Sequence, residues 1–393
     1  MRLWSLLMSA LTLCLLMPPS LTIAQTAAPS QPSPQVEVVY ILDHNQVITY
    51  DVDPDTGIPT RQGSLALVPF FPTIIPSIDD HYLYVTGTEK GVWQLWAYAT
   101  DASGSPQNPP IQTLTFKSGT WNFTPHPNGR FAYAAQLVRN SQGQNVTGIR
   151  FFKIDSSTGH LIESPKMLDT YPLNGPCQSG ESGGFGLLGF NPGGNQLNEV
   201  WYCSGFRSST SYYYTRKVDQ QTGALGPDVQ TITANTITGG PFSEVSVTPK
   251  AILDYFIQAD YFNNTLYVYP PTGGTTPIFS CTSAMLEACG DSFSEAVDPS
   301  GTYIFFYTPN GTGIAKLDLA AKQIVETGNS IPAGSSVEAF SPDEKLIYTR
   351  GGSIAFTYPI YVFDLATGVA STGGSISVPG SSLSPSIVPA LRK

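Results

Sequence analysis

Hydrophobic and polar residues alternate along most of the chain in short runs rich in Val, Ile, Tyr, Phe and Thr. A period of two residues is typical of β-strands, whereas no long stretch shows the 3.6-residue period of an amphipathic helix. Clusters of Pro, Gly, Asp and Asn separate the runs, and these residues favour turns. The pattern therefore predicts an all-β chain with almost no helix.

One unit recurs about every 40 to 50 residues: a Pro-containing turn, an aromatic-rich strand, a second strand that ends in Asp, and a Thr-Gly turn. Units of about four short strands are typical of β-propeller blades, which pack radially and bury both faces of each sheet. The repeats predict a seven-bladed β-propeller within residues 36–393. Its units lie at 36–65, 76–116, 123–169, 186–233, 245–289, 295–330 and 338–377.

The first repeat lacks the inner strand that begins the others, because it starts abruptly at residues 36–42. Residues 381–390, near the end of the chain, have the composition of the missing strand. We therefore expect this C-terminal segment to become the inner strand of the first blade and to close the ring, which removes exposed sheet edges. Deletion of the residues after Gly380 should then destabilise the whole ring.

The N-terminus has the pattern of a secretory signal peptide: Arg2, an apolar run at 3–17, and small residues up to Ala24. An uncleaved membrane anchor is the alternative. The Pro-rich segment that follows is typical of an extended linker. The predicted organisation is a signal peptide at 1–24, a linker at 25–35 and a propeller at 36–393, in a protein that is secreted, periplasmic or at the cell surface.

Four cysteines follow the predicted signal peptide, an even number that favours disulfides in an exported chain. Three pairings are possible. We favour pairing between nearest neighbours, which joins Cys177 to Cys203 and Cys281 to Cys289. No Cys-x-x-Cys motif or nearby His supports a zinc site. The formal net charge of −10 argues against a nucleic-acid partner, which needs clustered Lys and Arg. We expect a monomer.

Several motifs resemble the seven-bladed lactonase-type propellers, the family of bacterial 6-phosphogluconolactonase, the carboxymuconate cyclases and the related surface-repeat propellers. They are SPDEKLIYT at 341–349, HPNGRFAYAA at 126–135, DPSGTYIFFY at 298–307, FKIDSSTGHL at 152–161 and YDVDPDTGIP at 50–59. The resemblance covers about residues 36–392. It implies the fold more than the chemistry, because these residues form hairpins and fill the space between blades.

The resemblance also implies an Arg-His pair before an inner strand of the enzymes, and this chain lacks it. Neither residues 181–187 nor residues 239–244 contain Arg-His. The chain has four histidines, which we place in turns or on the surface rather than in catalysis. They are His44, His81, His126 and His160.

Three glutamates precede the Pro-containing turns of consecutive blades by four or five positions, where inner strands begin at the mouth of the central channel. They are Glu244, Glu295 and Glu338, and Trp121 occupies the same place in another blade. Converging carboxylates suit a cation, and oxygen ligands suit calcium. The alternative is that these glutamates are solvated at a wide channel mouth.

Aromatic residues could also form a stacking platform for a sugar, the best candidate being Tyr212, Tyr213 and Tyr214. Strand alternation instead predicts that they pack inside a blade. The Gly- and Ser-rich loop at 173–186 is a better candidate for ligand contact.

Two functions remain. The first is an exported propeller that binds a small molecule, a glycan or a protein at the top of its channel without catalysis. The second is a hydrolase of a sugar lactone or related cyclic ester that uses the channel-mouth carboxylates, with or without calcium.

Overall fold

The structure is a computed structural model that describes residues 36–67, 69–77, 80–116, 120–139, 142–143, 145–165, 167–172, 175, 177, 182–190, 193–204, 208–227, 229–237, 256–260, 265–269, 276–282, 294–308, 310–332, 336–351, 356–378 and 386–392. These residues belong to the compact unit Gln35–Lys393. The second unit, Met1–Pro34, contains the predicted signal peptide and lies outside them. All regular elements described are β-strands, and this part of the chain contains no helix able to span a membrane.

The first three sheets are antiparallel and follow one another along the chain. The first contains β1 (Val36–Asp43), β2 (Gln46–Val52), β3 (Pro59–Ala66) and the C-terminal β28 (Ser386–Arg392). The second contains β4 (Phe70–Pro76), β5 (Tyr82–Glu89), β6 (Val92–Ala99) and β7 (Gln112–Phe116). The third contains β8 (Thr120–Pro125), β9 (Phe131–Arg139), β10 (Asn145–Ile154), β11 (Leu161–Glu163) and β12 (Asp169–Pro172).

The remaining sheets follow the same plan. The fourth contains β13 (Ser182–Phe190), β14 (Gln196–Ser204), β15 (Ser208–Lys217) and β16 (Val229–Ile237). The fifth contains β17 (Phe256–Asp260), β18 (Thr265–Tyr269) and β19 (Phe279–Thr282). The sixth contains β20 (Ser294–Val297), β21 (Tyr303–Thr308), β22 (Gly311–Asp318) and β23 (Gln323–Pro332). The seventh contains β24 (Ser336–Phe340), β25 (Leu346–Arg350), β26 (Phe356–Asp364) and β27 (Val369–Val378).

Six sheets have four or five strands, and the fifth has three described strands. Residues 245–249, which we predicted to begin the fifth repeat, lie outside the described residues. The predicted start of the second repeat at Pro76 is late, because β4 already begins at Phe70. Phe71 and Pro72 form a bulge there, between the paired residues Phe70 and Thr73, and a bulge accommodates a proline that cannot donate to the ladder.

The hydrophobic core lies between neighbouring sheets, because strands bury both faces. In β5, Leu83 and Val85 pack in a cluster shared with the first sheet. Tyr84, on the other face, packs in a cluster shared with the third sheet. Similar clusters join the third and fourth, fifth and sixth, sixth and seventh, and seventh and first sheets. This radial packing makes the chain an all-β propeller.

The C-terminal segment joins the first sheet. We predicted this pairing because the first repeat lacks an inner strand of its own. β28 pairs antiparallel with β1, with Tyr40 opposite Val388 and Leu42 opposite Ser386. The first sheet therefore has the order β28-β1-β2-β3. The two ends of the folded chain are held in one sheet, since Val36 lies opposite Arg392.

The antiparallel order gives every sheet two ends. We call the lower face the end that carries the turn between the first and second strands and the turn between the third and fourth. The upper face carries the start of the first, inner strand and the turn between the second and third strands. The recurring Thr-Gly turns therefore lie on the lower face.

The Cys177–Cys203 disulfide is present, with the two Cα atoms 5.3 Å apart. It connects a residue ahead of β13 to β14, as predicted. Cys281 is also disulfide-bonded, and its predicted partner Cys289 lies outside the described residues.

Candidate functional site

Among the described strands, a β-bulge interrupts the inner strand of five sheets. It lies in β4, β8, β13, β20 and β24. In β24 the ladder skips from Val337 to Ala339, so Glu338 is the extra residue. In β20 it skips from Ser294 to Ala296, so Glu295 is the extra residue. A bulge re-aims its side chain and often lies beside a binding site, which separates Glu338 from ordinary strand residues.

Glu338 forms an ion pair with Arg350, the last residue of β25. Arg350 Nε lies 2.9 Å from Glu338 Oε1, and Arg350 Nη2 donates to Glu338 Oε2 at 3.0 Å. The side chains are 23% and 38% exposed, respectively. One guanidinium nitrogen thus donates to the carboxylate while a second lies at ion-pair distance, and both side chains are still accessible to a ligand.

The three predicted glutamates have different outcomes. Glu244 lies outside the described residues, and only the backbone of Glu295 is described. Glu338 already has a cationic partner in Arg350. Among the residues that the structure describes, no group of three or more His, Cys, Asp or Glu could hold a metal ion.

A second polar pair lies on the upper face, in the β1–β2 turn of the first sheet. His44 Nδ1 is 2.8 Å from Asp43 Oδ1, and the His44 side chain is 38% exposed. His44 has a φ of 55°, the left-handed region that non-glycine residues seldom occupy and that recurs at functional sites. The imidazole is therefore oriented by a carboxylate and open to solvent.

Tyr358 connects the two pairs electrostatically. It is fully buried in the cluster between the first and seventh sheets. Burial raises the pKa of its hydroxyl to about 12; Arg350 opposes this increase, while Glu338 and Asp43 add to it. The charges of both pairs therefore act on one buried hydroxyl, and the upper rim between these two sheets is the candidate site.

The other histidines lie on the lower face. His81 and His126 are in inner hairpins, and His160 follows a Thr-Gly turn. His126 is buried, and its Nε2 lies 2.6 Å from the Gly194 carbonyl oxygen of the fourth sheet. Its role is structural, as predicted.

The predicted aromatic candidates have separate outcomes. Trp121 lies in β8, and its side chain is outside the described part of the structure. Tyr212 is buried between the third and fourth sheets, and Tyr214 packs against the same cluster. The prediction that these two tyrosines pack rather than form a sugar platform is confirmed; the side chain of Tyr213 is not described.

Arg350, Asp43 and Tyr358 were not predicted as site residues. The sequence places a glutamate in the first strand of this inner hairpin and an arginine at the end of the second strand, and this pattern could have predicted the ion pair. The contribution of Asp43 and Tyr358 depends on packing between sheets that are far apart in the sequence.

Comparison with known proteins identifies the fold. No protein-family model matches the chain, and no curated protein matches it. A Bacteroides fragilis protein assigned as a 6-phosphogluconolactonase matches with a TM-score of 0.56 and 16% identity, over 92% of this chain and 100% of that one. The periplasmic gluconolactonase of Pseudomonas aeruginosa matches with a TM-score of 0.55 and 14% identity, over 90% and 99%. The fold is that of a lactonase-type β-propeller.

Puromycin hydrolase is also similar, with a TM-score of 0.50 and 14% identity over 89% of this chain and 55% of that one. At identities this low, the similarity shows only the fold of a lactonase-type propeller. It does not show the reaction, because this fold supports several chemistries.

Proposed function

We propose that the protein is an exported seven-bladed propeller that binds a small polyhydroxylated molecule at the upper rim between its seventh and first sheets. The observation that carries this proposal is the Glu338–Arg350 pair, which combines one hydrogen bond with a close ion-pair contact and whose charges act on the buried Tyr358 hydroxyl. A carboxylate accepts hydrogen bonds from hydroxyl groups, and a guanidinium donates to ring, carbonyl or carboxylate oxygens. Sugars and sugar acids present both kinds of group.

Seven blades and a closed ring are supported by the seven sheets with β28 paired to β1. The fifth sheet contributes three described strands to this count. Export is supported by the signal-like N-terminus and by the disulfide, because disulfides persist in oxidising compartments.

Calorimetric titration with gluconate tests the binding site. We expect binding by the unmodified protein, weakened about tenfold or more in Glu338→Gln and in Arg350→Gln, because a hydrogen bond to a charged group contributes about 1.5–3 kcal/mol. Glu163→Gln is the matched control, since it breaks the Arg150–Glu163 pair of the third sheet. Absence of gluconate binding, or equal losses in all three variants, would contradict the proposal.

Hydrolysis of a sugar lactone at the same rim is the second candidate, and the Asp43–His44 pair favours it. With Nδ1–H donated to Asp43, Nε2 of His44 can accept a proton from water as the water oxygen attacks the lactone carbonyl carbon. The ring C–O bond then breaks, and the proton passes to the leaving alkoxide.

Hydrolysis of glucono-δ-lactone above its spontaneous rate tests this candidate. His44→Ala should lower kcat about 100-fold, the range of general-base catalysis, while His81→Ala should leave it unchanged. A parallel series after chelator treatment, with and without calcium, tests the metal-dependent form in the unmodified protein and in Glu295→Gln. A spontaneous rate under every condition would exclude hydrolysis of this lactone and retain the binding function.

A further inference from the structure

The inner hairpins on the lower face share a local design. Their first residue, where it is Ser or Asp, accepts a hydrogen bond from the backbone N–H five positions later. Ser77 accepts from Tyr82 at 3.1 Å, Asp298 from Tyr303 at 2.6 Å and Ser341 from Leu346 at 2.8 Å. These bonds close each hairpin and fix the direction of its next strand.

The fourth residue of these hairpins has a positive φ. It is glycine in the third and sixth sheets, at Gly129 and Gly301, but Asp80 in the second and Glu344 in the seventh. A side chain in the left-handed region is less favourable than glycine by about 1 kcal/mol or more. Asp80 has a compensating contact, because its Oδ1 accepts the Tyr40 hydroxyl of the preceding sheet at 2.5 Å.

Glu344 makes the corresponding contact with the sixth sheet, but its partner is another acid. The carboxyl group of Glu344 lies within hydrogen-bonding reach of Asp298 and of the Ser300 hydroxyl of the same hairpin. Asp298 is fully buried and also accepts the Ser300 hydroxyl. Glu344 Oε2 is buried without a hydrogen-bond partner. Two carboxyl groups can be hydrogen-bonded to each other only while one of them holds a proton.

Nearby charges do not relieve this arrangement. Burial raises the pKa of Asp298. Burial also raises the pKa of Glu344 to about 7, and the negative charges of Asp298 and Asp343 add to the increase. The nearest cation in sequence, Lys345, has its Nζ atom 3.8 Å from Asp55 Oδ1 of the first sheet. A proton held by the pair lets the two acids stay in contact across the junction between sheets.

We propose that Asp298 and Glu344 form a proton-dependent latch between the sixth and seventh sheets, closed while the pair holds one proton and opened when both carboxyl groups are ionised. The latch stands on the contact between the two hairpins and does not depend on any ligand at the upper rim.

The sign of the pH effect follows from the direction of the Glu344 shift. In the unfolded chain Glu344 ionises near its ordinary pKa of 4.5, and in the folded protein near 7. The latch therefore contributes fully below about pH 4.5, and its contribution is lost as the pH rises toward 7 and above. His126 has the opposite effect. Burial lowers its pKa, so its contribution is present above about pH 6.5 and is lost as the pH falls.

Thermal unfolding from pH 5 to pH 8 tests the latch in the unmodified protein and in Glu344→Gln. The glutamine amide can still donate to Asp298 and does not ionise. We expect the two proteins to have similar Tm values at pH 5, and the unmodified protein to become less stable than Glu344→Gln by several degrees at pH 8. The effect of His126 is common to both and cancels in the difference. Glu326→Gln, which removes an exposed charge from the sixth sheet, should follow the unmodified protein at every pH.

Two further measurements keep the test decisive. Glu344→Gly suits the positive φ and removes the carboxyl, so its Tm should also lack the decline of the unmodified protein. At pH 8, hydrogen exchange of the Tyr303 amide, which donates to Asp298, should be faster in the unmodified protein than in Glu344→Gln. A Tm difference that is independent of pH in both variants, together with equal exchange at Tyr303, would overturn the latch.

Discussion

The glycine that ends a Thr-Gly turn has two roles, one in the turn and one between sheets. Gly159 has a φ of 70°, and a Cβ placed there would lie 2.3 Å from the ring of Tyr82 in the preceding sheet. Gly129 has a nearly identical φ of 69°, but a Cβ there would have no neighbour within 4 Å. A substitution at Gly129 therefore tests backbone strain alone, whereas one at Gly159 tests backbone strain together with close packing.

We predict that Gly129→Ala lowers the free energy of unfolding by about 1 kcal/mol, the cost of a left-handed alanine. Gly159→Ala should lower it by about 2–4 kcal/mol, because overpacking adds to the same strain. Urea denaturation of both variants measures the difference. Equal losses would show that the Tyr82 ring moves aside freely and that the turn does not fix the junction.

The sequence was most informative about the individual strands and turns. Alternation and turn residues depend on near neighbours, so the strands and the lower-face turns followed from local pattern. Asp155 shows this, since its side chain accepts the Ser157 backbone N–H at 2.9 Å and hydrogen bonds with Ser157 and Thr158 lower its pKa. The bulge that makes Glu338 an extra residue was not predictable, because it depends on the register with the neighbouring strand.

The candidate site was predicted in part for the same reason. Glu338 was placed at the start of an inner strand, but its pairing with Arg350 requires β24 and β25 to lie side by side. The contact between Asp298 and Glu344 requires two sheets. Chemistry that arises between elements is therefore less visible in the sequence than the elements themselves.

Tyrosines of the second strands connect successive sheets through their hydroxyl groups. Tyr133 is fully buried, and its hydroxyl donates to the Gly223 carbonyl oxygen of the fourth sheet at 2.7 Å. Tyr303 makes the equivalent bond to Leu365 of the seventh sheet at 2.9 Å. Each bond anchors a lower-face turn to the preceding sheet.

Tyr133→Phe keeps the packing and leaves the Gly223 carbonyl without this donor. We expect a loss of about 1–2 kcal/mol in the free energy of unfolding, the usual range for a buried acceptor that loses its partner. Tyr267→Phe, on a partly exposed side chain of the fifth sheet, should change it by less than about 0.5 kcal/mol. Calorimetric or urea unfolding compares the two, and equal effects would argue against a role for the Tyr133 hydroxyl in joining the sheets.

Contacts between the seventh and first sheets join the two ends of the described part of the chain. The seventh and first sheets share a hydrophobic cluster that includes Ile41, Tyr358 and Ile387 of β28. The Tyr348 hydroxyl donates to the buried Glu37 carboxylate across the same junction at 2.6 Å. β28 covers one edge of β1 along its length, so its removal would expose that edge and open this junction.

Truncation after Gly380 removes β28 and tests the closure of the ring. We expect the truncated protein to lose its cooperative thermal transition and to aggregate, because an uncovered edge strand pairs readily with other chains. Deletion of Lys393 alone should leave the Tm unchanged. A synthetic peptide of residues 381–393, added during refolding, should restore the transition by occupying the same edge. A truncated protein that melts cooperatively at the original Tm would show that the other inter-sheet junctions hold the propeller without β28.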